Sequence, residues 1–488
     1  MRLIFTLILS TFISFQIQAI KTERPNVIFI LTDQWRASAL GYMGNDVVQT
    51  PQLDKFASCA LNFKNTVSVL PVCTPYRASL MTGRYPTSTG MFINDLYLPS
   101  EELCMAEIFK DAGYQTAYLG KWHLDGHGRI NNVIPKRRQG FDFWKGLECS
   151  HDYNKMPYYE NDDSEMKYWD EYSPYAISRE AQKYLTEHSK NGKPFLLFVS
   201  IATPHFPHNT APKEYMDLYS PDKLKLEPNV NEDKRESALK ELQGYYAHCT
   251  ATDKAIGDII EKVKELEIFD NSIIIFTSDH GEMMGAHGFN PWMKHTAYSE
   301  SSNVPFLISY PGIDNNAGKI AEAAITTPDI LPSILSLSNI DIPGTIEGYD
   351  LSHIIKSPDK DSNRVALYMN PVPFGSMYKI DEYRAVRTNK YTYVKTPQGA
   401  SMLFDDEKDP YQMNNLVNQP EYADIQKKLD QQLINELQRI GEDRIMERNS
   451  YLKKFGYFGR KEFREDYHIA DYNNVKVVLS PHKTINIH

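Results

Sequence analysis

Cysteine is scarce, five residues in 488. So low a count excludes a scaffold built on disulfides, and an odd one leaves at least one thiol over. An excess of positive charge is lacking too: 53 Lys and Arg against 63 Asp and Glu leave the chain at −10. Bulk charge of that sign excludes nucleic acid as a partner, and an anionic polymer could be met only where cations are concentrated in one cleft. Beyond the first twenty residues no apolar run is long enough to span a membrane. Internal repeats and low-complexity linkers are absent as well. Although Asn is abundant, no Asn-x-Ser/Thr acceptor occurs anywhere, which favours bacterial export over a glycosylating secretory route.

What is present is an ordinary globular composition, 41% hydrophobic and 24% charged. Arg2, the apolar stretch 3–15 and the small residue Ala19 have the layout of a signal peptide. Residues 1–19 are therefore expected to be removed, and the protein to be exported to the periplasm or secreted. Short apolar runs follow at Val27-Ile28-Phe29-Ile30-Leu31, Thr116-Ala117-Tyr118-Leu119, Phe195-Leu196-Leu197-Phe198-Val199 and Ile273-Ile274-Ile275-Phe276. Runs of this kind predict buried parallel strands. A charged amphipathic helix is expected over 236–266, and alternation of helices with apolar strands points to an α/β sheet. Residues 20–360 form the expected main domain. Residues 361–441 read as a smaller α+β unit, with strand-like alternation over 383–395 and a polar amphipathic helix over 426–440. The Tyr-, Phe- and Lys-rich stretch 442–488 reads as an extension packing on the body.

The end of each strand carries chemistry. Leu31 leads to Asp33-Gln34, Leu119 to Lys121-Trp122-His123, Val199 to His205, and Phe276 to Asp279-His280-Gly281. In open α/β sheets ligands bind beyond the carboxyl ends of the strands, so these groups converge on one rim. Asp33, Gln34, Asp279 and His280 suit a hard divalent cation, Ca²⁺ or Mg²⁺, and Zn²⁺ is compatible with His280 and two carboxylates. In Cys73-Thr74-Pro75-Tyr76-Arg77, Pro75 fits a first helical turn and Gly83 a helix stop. Cys73 then lies at an anion-favouring helix N-terminus, with Arg77 one turn on along the same face. A nucleophile, a helix end and an Arg fork suit transfer of a tetrahedral oxyanion.

These segments, with Leu80, Thr82-Gly83-Arg84, Gly120-Lys121-Trp122-His123, Pro204-His205, Lys294 ahead of Tyr298, and Val304-Pro305, resemble type I (formylglycine-dependent) sulfatases of the alkaline phosphatase superfamily. The likeness runs from about residue 24 to 440. It implies an α/β fold with an alkaline-phosphatase-like mixed sheet sandwiched by helices, and a smaller C-terminal α+β subdomain. It further implies hydrolysis of sulfate esters of a sulfated sugar or polysaccharide. Cys73 would be converted by a formylglycine-generating maturation enzyme to 3-oxoalanine (formylglycine). Asp33, Gln34, Asp279 and His280, with the residue at 73, would hold Ca²⁺ ahead of Mg²⁺. Arg77 would orient the hydrated aldehyde, Lys121 and Lys294 would bind sulfate oxygens, His205 would protonate the leaving alcohol, and His123 would accept a proton. Asp33-Gln34 stands where many members have two Asp residues, and Asn303 where Arg is common before Val-Pro. The first departure keeps a phosphonate monoester or phosphodiester hydrolase as the alternative. Substrate choice is expected in loops 125–138, 150–175 and 208–235. Arg129, Lys136, Arg137 and Arg138 form a basic cluster there, and Tyr153, Tyr158, Tyr159 and Trp169 are candidate sugar-stacking rings.

Overall fold

The strand β1 (Asn26–Asp33) is buried along its whole length, which is why it reads as a continuous apolar run. Its side chains alternate between two cores. Val27, Phe29 and Leu31 pack on the side of helix α1 (Cys73–Thr82), against Tyr76 and Leu80. Ile28 and Ile30 pack on the other side, with Ile177 of α2 (Ser173–His188) and Ile256 and Ile259 of α3 (Arg235–Glu265). A sheet with both faces covered in this way cannot slip by one residue without exchanging its two cores. The computed structural model describes residues 24–358, 364–374, 380–442 and 445–455. The expected leader, 1–19, lies outside them.

The main sheet has ten strands. Besides β1 they are β2 (Leu61–Phe63), β3 (Gln115–Lys121), β4 (Phe143–Leu147), β5 (Met156–Glu160) and β6 (Lys167–Trp169). The remainder are β7 (Phe195–Pro204), β8 (Ser272–Ser278), β9 (Phe306–Ser309) and β10 (Ile320–Ala321). Their order across the sheet is β10-β2-β9-β8-β1-β7-β3-β4-β5-β6. The four runs recognised in the sequence are the adjacent strands β8, β1, β7 and β3, all parallel. Antiparallel partners flank them, β9 on β8 and β5 on β4, which makes the sheet mixed. Because the central strands are parallel, their carboxyl ends share one edge.

A second, four-stranded antiparallel sheet comprises β11 (Ala366–Asn370), β12 (Tyr383–Arg387), β13 (Tyr391–Thr396) and β14 (Gly399–Asp405). The strand-like alternation over 383–395 belongs to a hairpin of β12 and β13. Thr388 Oγ1 accepts the N–H of Lys390 and of Tyr391 where the chain reverses, and Ala385 pairs with Val394 and Val386 with Tyr393, so each face passes between odd and even positions across the turn. Helix α4 (Ala423–Arg439) covers this sheet through Leu429, Leu433 and Leu437. After it, Glu442 pairs with buried Arg384 at 2.7 Å, and Tyr451 of α5 (Arg448–Lys454) is buried against Phe92. All five cysteines are free thiols. Among the described residues no helix is long and apolar enough to cross a membrane.

Candidate active site

Asp33 is the last residue of β1, where the pairing with β7 shifts register between Thr32 and Asp33. Such an irregularity re-aims a side chain at the end of a strand. Asp279 follows β8, the neighbour on the other side, and its carboxylate lies against that of Asp33. Ligand atoms of Asp33, Cys73, Asp279 and His280 all fall within 4.8 Å of one another, fully buried. His280 Nδ1 lies 3.0 Å from the Gly281 carbonyl, so that nitrogen carries the proton and Nε2 turns a lone pair into the cluster. Two carboxylates, an imidazole lone pair and the Gln34 amide oxygen fit a divalent cation, with oxygen donors dominant.

Cys73 opens α1, as its spacing implied. Its Sγ lies 3.3 Å from His280 Nε2, 3.4 Å from Lys294 Nζ and 3.7 Å from Asp33 Oδ1. Burial raises the thiol pKa, but Lys121, Lys294 and His280 outweigh it and hold Cys73 well below the usual cysteine value. Arg77 lies on the expected helix face, yet its guanidinium is directed to the carboxylates. Its Nε and Nη2 donate to Asp279 Oδ2 and its Nη2 to Asp33 Oδ2, while its Nη1 donates to Lys121 O and Ser200 Oγ. All three nitrogens are occupied, so Arg77 sets the two carboxylates beneath position 73. For Asp33, burial and Cys73 push upward and Lys121, His205 and Arg77 prevail, keeping it ionised. Burial and the Asp33 charge push Asp279 up.

Lys121 ends β3 and donates to Asp33 Oδ2 at 2.6 Å. The turn that aims it needs glycine: Gly120 has φ +97°, and a Cβ there would stand 1.9 Å from the Ser200 carbonyl. His123, also at positive φ, pairs through Nε2 with Asp95 at 2.8 Å, and Arg129 grips both oxygens of Asp95. Burial opposes its protonation, yet Cys149, Asp95 and Cys73 bring His123 to about 10. His205, just past β7, stands 2.8 Å from the Phe206 carbonyl through Nδ1, and its Nε2 accepts from Lys294 Nζ at 3.1 Å. Burial and Lys294 push its pKa well down, so the imidazole is neutral. Lys294 also reaches Gln34 Oε1 at 3.2 Å. The residues proposed for the cage and the reacting centre thus meet at one rim.

A cleft of about 270 Å³ opens over Cys73, Lys121, His123, His205 and Lys294, and is also lined by Arg129, His151, Phe206, Trp292 and Phe374. His151 stacks on His205 at 4.6 Å between centroids. Of the basic cluster only Arg129 reaches the cleft. Arg137 is buried on Asp125 and Arg138 over Trp144, while Lys136 is exposed. The aromatic candidates pack internally: Tyr153 and Tyr159 are buried, and Tyr158 stacks on Trp169 at 4.3 Å. Rings that do face the cleft include Phe206 and Trp292. The latter is 36% exposed, and neither was singled out in the sequence because no motif marks them. Glu282, buried behind Gln34, was missed as well, although Asp-His-Gly-Glu at 279–282 displays it.

Comparison with known proteins agrees in fold and family. The Sulfatase family model matches residues 25–340, and that of the N-sulphoglucosamine sulphohydrolase C-terminal region matches 285–439. The ulvan-active sulfatase of Formosa agariphila is 57% identical over 440 residues, 90% of this chain and 86% of that protein. The endo-4-O-sulfatase of Bacteroides thetaiotaomicron is 30% identical, over 81% of this chain and 88% of its own length. Among solved structures, YidJ of Bacteroides fragilis, whose sulfatase name is provisional, superposes with a TM-score of 0.79 at 30% identity, covering 87% and 98% of the two chains.

Proposed function

The chain belongs to the sulfatase family, and from that premise we propose that it is an exported enzyme that hydrolyses sulfate esters of a sulfated polysaccharide at position 73. One observation carries the reading. The Cys73 side chain sits at a helix N-terminus between a carboxylate–imidazole cage and the ammonium of Lys294. The likeness to an ulvan-active relative supports a polymeric sulfated sugar as substrate. The Trp292 and Phe206 faces at the cleft support a carbohydrate ring beside the scissile ester. The signal-peptide layout of residues 1–19 supports export.

In this reading a maturation enzyme converts Cys73 to formylglycine, whose hydrate supplies the nucleophilic hydroxyl. Asp33, Gln34, Asp279 and His280, with residue 73, hold a divalent cation, Ca²⁺ ahead of Mg²⁺. When bound, that cation polarises the sulfate and eases ionisation of the attacking hydroxyl. Lys121 and Lys294 neutralise the sulfate oxygens. Sulfate between them offsets the charge that keeps His205 neutral, so His205 gains a proton with the substrate and passes it to the leaving alcohol oxygen. His123, clamped by Asp95, takes the proton of the remaining hydroxyl in its neutral form, which loss of the Cys73 thiol on conversion favours, so that sulfate departs and the aldehyde returns. Arg77 keeps the cage carboxylates in register throughout.

The test is one preparation assayed for sulfate release from a sulfated polysaccharide, and for turnover of aryl sulfate, aryl phosphonate and phosphodiester, before and after prolonged chelation. Sulfate release that chelation abolishes and Ca²⁺ restores is the expected result. Preference for the phosphonate or phosphodiester would replace this reading by that of a phosphonate monoester or phosphodiester hydrolase.

A further inference from the structure

Gln34 is the one neutral oxygen donor of the cage, and a primary amide raises a problem that a carboxylate does not. Its two ends are nearly the same shape, and only the oxygen can ligate a cation. The amide therefore needs partners that decide which way it faces. On its nitrogen side, Nε2 donates to Glu282 Oε2 at 2.6 Å and to the Trp292 carbonyl at 3.2 Å. On its oxygen side, Oε1 accepts from Lys294 at 3.2 Å. Glu282 is fully buried and is itself held from behind. His208 Nε2 lies 3.4 Å from Oε2, and His208 Nδ1 pairs with Glu241 at 2.8 Å.

We propose that Glu282, backed by His208 and Glu241, is a positioning residue of the cation cage: it fixes the Gln34 amide with its oxygen toward the cage. The inference rests on the cation-dependent reading above and concerns binding rather than turnover. Partners behind a metal ligand commonly control affinity by about 10–100-fold when removed.

The experiment measures Ca²⁺ affinity calorimetrically on chelator-stripped full-length protein, with Tm and circular dichroism as folding controls. Glu282→Ala should weaken Ca²⁺ binding by about 10–100-fold, and Glu282→Gln, which keeps an acceptor oxygen, should weaken it less. The decisive arm is a charge exchange. Gln34→Glu alone sets two carboxylates against each other and should lose at least about tenfold in affinity. Combining it with Glu282→Gln restores one donor and one carboxylate, so the double variant should return to within about threefold of wild type. Unchanged affinity in Glu282→Ala, or losses in the double variant that simply add, would overturn the proposal. Should Glu282→Ala fail to fold, the exchange pair decides alone. Absence of Ca²⁺ binding by the wild-type protein would instead overturn the cation reading, a result distinguishable from failure of the Glu282 role.

Discussion

His205 and His208 show how two neighbouring imidazoles are set to opposite states by what surrounds them. Burial and Lys294 push His205 down, and in the proposed reading it gains its proton only with a sulfate ester between the lysines. His205→Ala should therefore cut kcat for sugar sulfates by about 10²–10⁴-fold. On aryl sulfates, whose leaving groups need little proton help, the loss should stay under about tenfold. Equal losses on both would remove His205 from that role. For His208, burial opposes the charge, but hydrogen bonds to Glu241 and Glu282 raise it from 6.5 to about 9. The folded state then binds this proton more tightly than the unfolded chain. Its stabilisation is complete below pH 6.5 and is lost as pH rises through about 9. Melting temperature should fall by a few degrees across that window, and His208→Gln should flatten the decline. A wild-type curve that rises there would contradict the assignment. Residues of this kind differ in how far the sequence displays them. Asp33 and Lys121 stand at the ends of apolar runs, and Cys73 stands in a segment marked by Pro75, Arg77 and Gly83. Glu282 acts through Gln34, and such a contact becomes visible only when β1 and the loop after β8 are folded together.

Elements decide what the cleft can hold. The segment following β8 returns from the cage as Trp292-Met293-Lys294, so the exposed indole and the buried ammonium are two residues apart on one loop. Trp292 lies 6.0 Å from Phe206, on the segment that carries His205. A sugar ring on that ledge would be fixed relative to both the ammonium and the imidazole. Trp292→Ala should raise KM for a sulfated polysaccharide about 3–10-fold, through loss of ring stacking, with kcat/KM for a small aryl sulfate nearly unchanged. Equal change on both substrates would mean that Trp292 serves the fold. Loops of this type were the least legible part of the sequence. Arg137 and Arg138 look like a cationic surface because charge is read without partners, and in the structure Asp125 and Trp144 take them inside. The strands were legible for the converse reason. A strand buried on both faces needs an unbroken apolar run, and β1, β3, β7 and β8 each supply one. The 383–395 hairpin shows in the sequence only as strand-like alternation, which does not mark where the chain reverses.

In the molecule as a whole, an acidic chain gathers cations where its parallel strands end. The net charge of −10 coexists with Arg77, Lys121 and Lys294 buried around one point. Two carboxylates leave that point net positive, and a bound divalent cation would add to it, a field that draws an anionic ester toward position 73. In the proposed reading residue 73 accepts the sulfuryl group, and the most direct test is its replacement by a residue that can accept but not release. Cys73→Ser, expressed in a host that converts only cysteine, keeps a single hydroxyl. After incubation with a sulfated substrate, the mass of the peptide carrying position 73 should increase by one sulfo group per chain, with a single burst of product and no further turnover. Sustained turnover by this variant, or a burst of product with the added mass on any other peptide, would contradict the account.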